Sequence, residues 1–166
     1  MTILRSAALV ALLAALSACT SADRFGPGGP GGAEGGLAGS VNDPASPAYF
    51  NQAIGDRVLF EVDQSTLTAE AQATLDGQAD WLLRNTAYSA LVEGHADEQG
   101  TREYNIALGA RRAEAVQTYL ISRGVAPGRL KTISYGKERP LEICSDESCY
   151  RQNRRAVSVI TAGAGV

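Results

Sequence analysis

From Asp56 onward, apolar and polar residues alternate along the chain in two different periods. "DRVLFEV", Asp56 to Val62, places apolar side chains at every second position and reads as a strand. Thr68 is placed to cap a helix that runs through Asn85, with Leu75, Ala79 and Leu82 on its inner face. "SALVEGHA", Ser89 to Ala96, reads as the next strand. The polar stretch Asp97 to Thr101 leads into a long helix over about Arg102 to Arg123, which Gly124 is suited to end. "LKTISYG", Leu130 to Gly136, and "AVSVIT", Ala156 to Thr161, supply a third and a fourth strand. Strands alternating with helices predict an α/β layer, with the helices covering one face of the sheet. No internal repeat is present.

One position breaks this pattern. In "ALGARRAEAVQTYL", Leu108, Ala113, Val116 and Leu120 form the apolar stripe of the long helix, and Arg112 falls on the same stripe. Arg111 rotates toward solvent. An unpaired buried guanidinium is costly, so Arg112 needs a partner. Asp97, Glu98 and Glu103 at the mouth of the helix are the candidates, and Asn105 lies two turns before Arg112 on the same side. Two readings stand at this point. Arg112 and Asp97 form a structural ion pair, or they line a groove that takes a zwitterion, the guanidinium holding a carboxylate and the aspartate an ammonium.

The N-terminal part is of another kind. "MTILRSAALVALLAALSAC" has one early Arg and an apolar run from Ala7 to Leu16, too short for a bilayer and suited to a signal peptide. It ends in "LSAC", which resembles the lipobox of bacterial lipoproteins. On that reading residues 1–18 are removed and Cys19 carries S-diacylglycerol and an N-palmitoyl chain; the alternative is an ordinary secretory signal with a chance cysteine. Thr20 rather than Asp follows Cys19, which under the enteric sorting rule implies delivery to the outer membrane. Residues 19–48 hold "FGPGGPGGAEGGLAGS", dense in Gly and Pro, and read as a linker of roughly 30 Å r.m.s. reach and about 90 Å when extended. Residues 49–163 are then the globular domain.

Net charge is −3, which gives no basic footprint for nucleic acid. Of the three cysteines, an acylated Cys19 leaves Cys144 and Cys149 around Ser145-Asp146-Glu147-Ser148. An oxidising compartment permits a disulfide there, with two free thiols as the alternative. A metal site is disfavoured because the chain has a single His and no further Cys. His95 with Asp97 and Glu98 lacks the second ligand cluster or nucleophile elbow of a hydrolase, and His95 is expected to be a hydrogen-bonded polar residue beneath the loop. Arg154 and Arg155 read either as a basic rim facing anionic glycan or as solvated surface. Tyr49, Phe50 and Trp81 read as core or edge packing.

"VEGHADEQGTREYNIALGARRAEAVQTYLISRGV", Val92 to Val125, resembles the signature of OmpA-like peptidoglycan-binding domains, in particular the peptidoglycan-associated lipoproteins. "LFEVDQSTL", "ISYGKERP" and "NRRAV" are similar to other segments of that family. The resemblance implies an α/β (α+β) sandwich, an OmpA-like β-α-β-α-β domain with the helices packed on one face of a mixed sheet. The resemblance implies that Asp97 and Arg112 grip the diaminopimelate of the peptidoglycan stem peptide, whose end carries both an ammonium and a carboxylate. It implies that Asn105 and Asp63 share the pocket and that Phe60 lines its wall, with the backbone of His95 and Ala96 as floor. It also implies a non-enzymatic outer-membrane lipoprotein of the Tol-Pal system, facing the periplasm, with TolB as partner and no cofactor beyond the covalent lipid. Its role would be envelope integrity and outer-membrane constriction at division. An OmpA-domain adaptor of another envelope complex is the alternative, and a wall-bound periplasmic enzyme a third. Gly109 stands where many members have Ser.

Overall fold

The computed structural model describes residues 39–143 and 145–163. The expected signal peptide, Cys19, most of the expected linker and Cys144 lie outside the described residues.

Four strands and three helices make up the domain: β1 Arg57–Leu59, α1 Ala69–Arg84, β2 Tyr88–His95, α2 Arg102–Ser122, β3 Leu130–Gly136, α3 Glu147–Asn153 and β4 Arg155–Ala162. Ahead of β1, a short helical turn at Pro47–Tyr49 runs into a wider helical turn at Phe50–Gly55. The strand order is β1-β4-β2-β3, with β4 antiparallel to both of its neighbours and β2 parallel to β3 across α2. The expected mixed sheet is therefore borne out.

Both long helices begin with a side-chain cap. Thr68 Oγ1 accepts from Ala71 N at 3.1 Å and Thr101 Oγ1 from Tyr104 N at 3.2 Å. α2 ends at Gly124, whose φ of +101° lets Gly124 N reach Ile121 O and Val125 N reach Leu120 O.

Strand alternation sorts the sheet into two faces. Ala90, Val92 and Gly94 of β2 with Ala156 and Ser158 of β4 point at the helices. Ser158 Oγ donates to Gln78 Oε1 of α1 at 2.8 Å, and Gly94 lies directly against Gly109 of α2. A Cβ on Gly94 would stand 1.8 Å from the Gly109 carbonyl oxygen, so the strand and helix backbones touch and neither position has room for a side chain. This is a physical reason for glycine, in place of serine, at 109. Leu75, Ala79 and Leu82 meet Val116 and Leu120 in the core. Phe50 closes one end, its ring 5.0 Å from that of Trp81, whose Nε1 donates to Pro44 O at 2.8 Å.

Three elements differ from the sequence expectation. β1 stops at Leu59 because Glu61 to Gln64 turn away from the sheet, with Gln64 N bonded to Glu61 O at 3.2 Å. The turns at 47–55 were not anticipated, nor was α3. That helix has only seven residues and buries only Cys149 and Asn153, too short a pattern to show a helical period.

Candidate functional site

The loops that open α2 and close β1 and β2 form a cavity of about 240 Å³, lined by Val62, Asp63, Asp97, Gln99, Gly100, Tyr104, Asn105 and Leu108. Each wall has a local cause. Asp63 adopts φ +58° in the tight turn after β1, a left-handed conformation that Asp tolerates better than most side chains. Its carboxylate accepts from the Tyr104 hydroxyl, and this raises the affinity of the phenol for its proton. Asp97 follows β2, whose pairing shifts register between Gly94 and His95. Its Oδ1 accepts from Gln99 N at 3.2 Å, turning the chain back toward α2. Asn105 Nδ2 donates to Gln99 O at 2.7 Å and fastens the loop to the first turn of the helix.

Arg112 does not line this cavity. Its side chain is 0 % exposed, and its partners are main-chain carbonyls. Nε donates to Gln64 O at 2.8 Å, Nη1 to His95 O at 2.8 Å and Nη2 to Glu61 O at 3.1 Å. The guanidinium thereby ties the turn after β1 to the end of β2. Its carbon lies 5.2 Å from the centre of the Phe60 ring. Burial lowers its pKa to about 10, and the nearby carboxylates of Asp97 and Asp63 work against that fall. Of the two readings left open for Arg112, the ion pair with Asp97 is not the one found: no salt bridge or hydrogen bond joins the two side chains.

The cation that meets Asp97 is Arg154, at 3.2 Å from Nη1 to Oδ2. The same guanidinium is held by Glu147 of α3, and its Nε donates to Phe60 O at 3.3 Å. Burial opposes the charge of Arg154, but Glu147 and Asp97 outweigh it and raise its pKa. Neither Arg154 nor Arg155 is the solvated surface or basic rim expected from sequence: they are 3 % and 7 % exposed. They go to different partners: Arg154 caps the end of α3, and Arg155 is the first residue of β4. Arg154 enters the site, while Arg155 lies on the helix-free face and donates to Arg139 O and Asn153 O.

Asp63, Asp97 and Asn105 therefore share one cavity, with Arg112 buried behind it. Phe60, expected on the same wall, is buried under Arg112 and instead lines a larger cavity of about 860 Å³ along the β1 edge. His95 is a further correction. Its ring is buried yet neither nitrogen is hydrogen-bonded. Tyr104, Gln99 and Gly100 were not singled out from sequence, although all three lie inside the motif that carried the resemblance. Among the described residues no cluster of three or more His, Cys, Asp or Glu is placed to hold a metal. Cys149 is disulfide-bonded.

Residues 59–155, which contain every side chain of this site, match the model of the OmpA family. The chain belongs to the OmpA family. Among relatives of this OmpA-family chain, the peptidoglycan-associated lipoprotein of Rhizobium meliloti is 54 % identical over 129 residues, covering 78 % of this chain and 73 % of the relative. That of Mesorhizobium japonicum is 58 % identical over 122 residues, covering 74 % and 72 %. The crystal structure of the peptidoglycan-associated lipoprotein from Burkholderia pseudomallei superposes with a TM-score of 0.65 at 38 % identity, over 73 % of this chain and 98 % of that one. The C-terminal domain of Helicobacter pylori MotB shares the fold, with a TM-score of 0.61 at 22 % identity over 66 % of this chain and 86 % of that one.

Proposed function

We propose that this chain is an outer-membrane lipoprotein that grips peptidoglycan non-covalently through diaminopimelate, as a member of the Tol-Pal system. The observation that carries this reading is the cavity in which Asp63 and Asp97 converge above a buried arginine. Two carboxylates beside an open volume suit an ammonium. The Asn105 amide and the positive potential of Arg112 behind it suit the carboxylate on the same carbon. Diaminopimelate ends in that pair of groups, whereas lysine ends in an ammonium alone. The names of the relatives support the wall as ligand. The lipobox-like "LSAC" supports an acyl anchor on Cys19, and the Gly/Pro-rich residues after it supply the reach from membrane to wall. Such a protein works by holding rather than by catalysis. TolB is its proposed periplasmic partner, and envelope integrity and outer-membrane constriction at division are the proposed setting. Direct binding of TolB separates this reading from that of an adaptor in another envelope assembly.

The test is co-sedimentation of the full chain in detergent with isolated sacculi of the diaminopimelate and the lysine type. Selective pelleting with diaminopimelate walls is expected, and it should be weakened by Asp97→Asn. Equal pelleting with both walls, or none, contradicts the proposed ligand.

A further inference from the structure

The segment "ISYGKERP", Ile133 to Pro140, puts no side chain into the cavity wall, yet its Lys137 grips the loop that carries Asp97. Lys137 Nζ donates to Gly100 O at 2.7 Å and to Glu98 O at 3.2 Å. An ammonium with three donors can serve two carbonyls at once. The carbonyl between them, Gln99 O, is taken by Asn105 Nδ2. The carbonyls of Glu98, Gln99 and Gly100 are thereby all held by side chains from outside the loop, two of them by one cation.

The end of β3 decides where that cation stands. Ser134 Oγ donates to Ile106 O at 2.7 Å, and Gly136 O accepts from Ala96 N at 2.9 Å. Gly136 lies so close to α2 that a Cβ on it would stand 2.8 Å from Ile106 N. Glu138 pairs with Arg102, the first residue of α2, at 3.1 Å. Lys137 is carried between two anchored neighbours.

A single peptide group joins Lys137 to Asp97. The Glu98–Gln99 peptide is planar and trans, so its C=O and N–H point in opposite directions and turn together. The C=O accepts from Lys137, and the N–H donates to Asp97 Oδ1 at 3.2 Å. Tilting this plane turns the N–H away from the carboxylate. The charge on Lys137 also polarises the peptide and strengthens its N–H as a donor. Arg154 holds the other oxygen, Oδ2, so the carboxylate is fixed at two points and Lys137 governs one of them.

We propose that Lys137 is a positioning residue of the binding cavity: through the Glu98–Gln99 peptide it sets the orientation in which the Asp97 carboxylate meets the ammonium of the wall peptide. This rests on the reading of the cavity as the wall-binding site. Both bonds of Lys137 go to backbone, so its grip does not depend on the side chains of Glu98 and Gln99. Without it the loop samples other orientations, and apparent affinity falls with the fraction of competent molecules.

The experiment measures binding of a soluble diaminopimelate-containing muropeptide to the full chain in detergent, for wild type, Lys137→Met, Lys137→Arg, Asp97→Asn and the Lys137→Met/Asp97→Asn pair. Lys137→Met is expected to weaken binding about three- to tenfold while the melting temperature is retained. Lys137→Arg keeps the charge and can donate to both carbonyls, so it should recover most of the loss. In the Asp97→Asn background Lys137→Met should cost little more, because the charge it orients is gone. The amide signals of Gln99 and Thr101, whose peptides carry the two bonded carbonyls, should move in Lys137→Met while those of α1 and β4 stay in place. Unchanged affinity in Lys137→Met, no recovery in Lys137→Arg, or an equal loss with and without the Asp97 carboxylate overturns the positioning role and leaves the wall-binding reading standing. Absence of binding by wild type overturns both.

Discussion

His95 makes the stability of the domain depend on pH in a window where few other groups titrate. Its side chain is 2 % exposed, and neither ring nitrogen has a hydrogen-bond partner. It lies on the helix-free side of β2. Glu93 Oε2 stands 3.7 Å from Nε2, the Tyr135 ring is 5.6 Å away, and Arg139 stacks on Tyr135 at 3.6 Å. Burial, then the charges of Arg155 and Arg139, bring its pKa down from 6.5 to about 4. Glu93 is too distant for a hydrogen bond and does not reverse the fall. The unfolded chain therefore binds a proton below about pH 6.5 that the folded domain refuses until about pH 4. Because the unfolded state holds the extra proton, stability falls as pH falls through this window. At about 1.4 kcal/mol per tenfold difference in proton affinity, the full loss is about 3 kcal/mol by pH 4. Carboxylates held below their ordinary range, such as Glu147 against Arg154, withdraw their contribution only below about 4.5. Urea unfolding of wild type and His95→Gln at intervals between pH 7 and 5 isolates the histidine. Wild type should lose stability toward pH 5, and the variant should be nearly flat whatever its absolute level. A flat wild-type profile, or equal slopes in the two proteins, would refute the reasoning.

Two further outcomes follow from the packing. Arg112→Ala removes the donor from three inward carbonyls and empties the space over Phe60, so urea unfolding should show a loss of about 3–5 kcal/mol; an unchanged midpoint contradicts the bracing role. Gly94→Ala forces a Cβ against the backbone of Gly109, which cannot swing aside, and should cost about 2–4 kcal/mol or prevent folding. A wild-type melting temperature for that variant would show that β2 and α2 separate freely.

Most of the fold was legible because its long elements carry strong periods and end signals. Thr68, Thr101 and Gly124 mark helix ends that the structure places within a residue or two. α3 was not legible, for it is short and polar and is held by side-chain bonds from Asn153 and Asp146 to nearby backbone. At the site, the burial of Arg112 could be read from the apolar stripe, but its partners could not. Main-chain carbonyls carry no side-chain signature, so the search for a counter-charge led to Asp97. The residue that does meet Asp97 stood in view as half of an Arg pair. Which half faces inward depends on where β4 begins, and the sequence pattern leaves that start uncertain by one residue.

The most direct measurement of the central claim is a titration of the isotope-labelled protein with a soluble diaminopimelate-containing muropeptide, followed by amide chemical shifts. The account predicts shifts concentrated at Val62–Asp63, Asp97–Gly100 and Tyr104–Leu108, and much smaller ones with the lysine-containing counterpart. Shifts centred instead on the β1 edge, at Arg57–Leu59 and Thr68–Thr74, or no shifts at all, would contradict it.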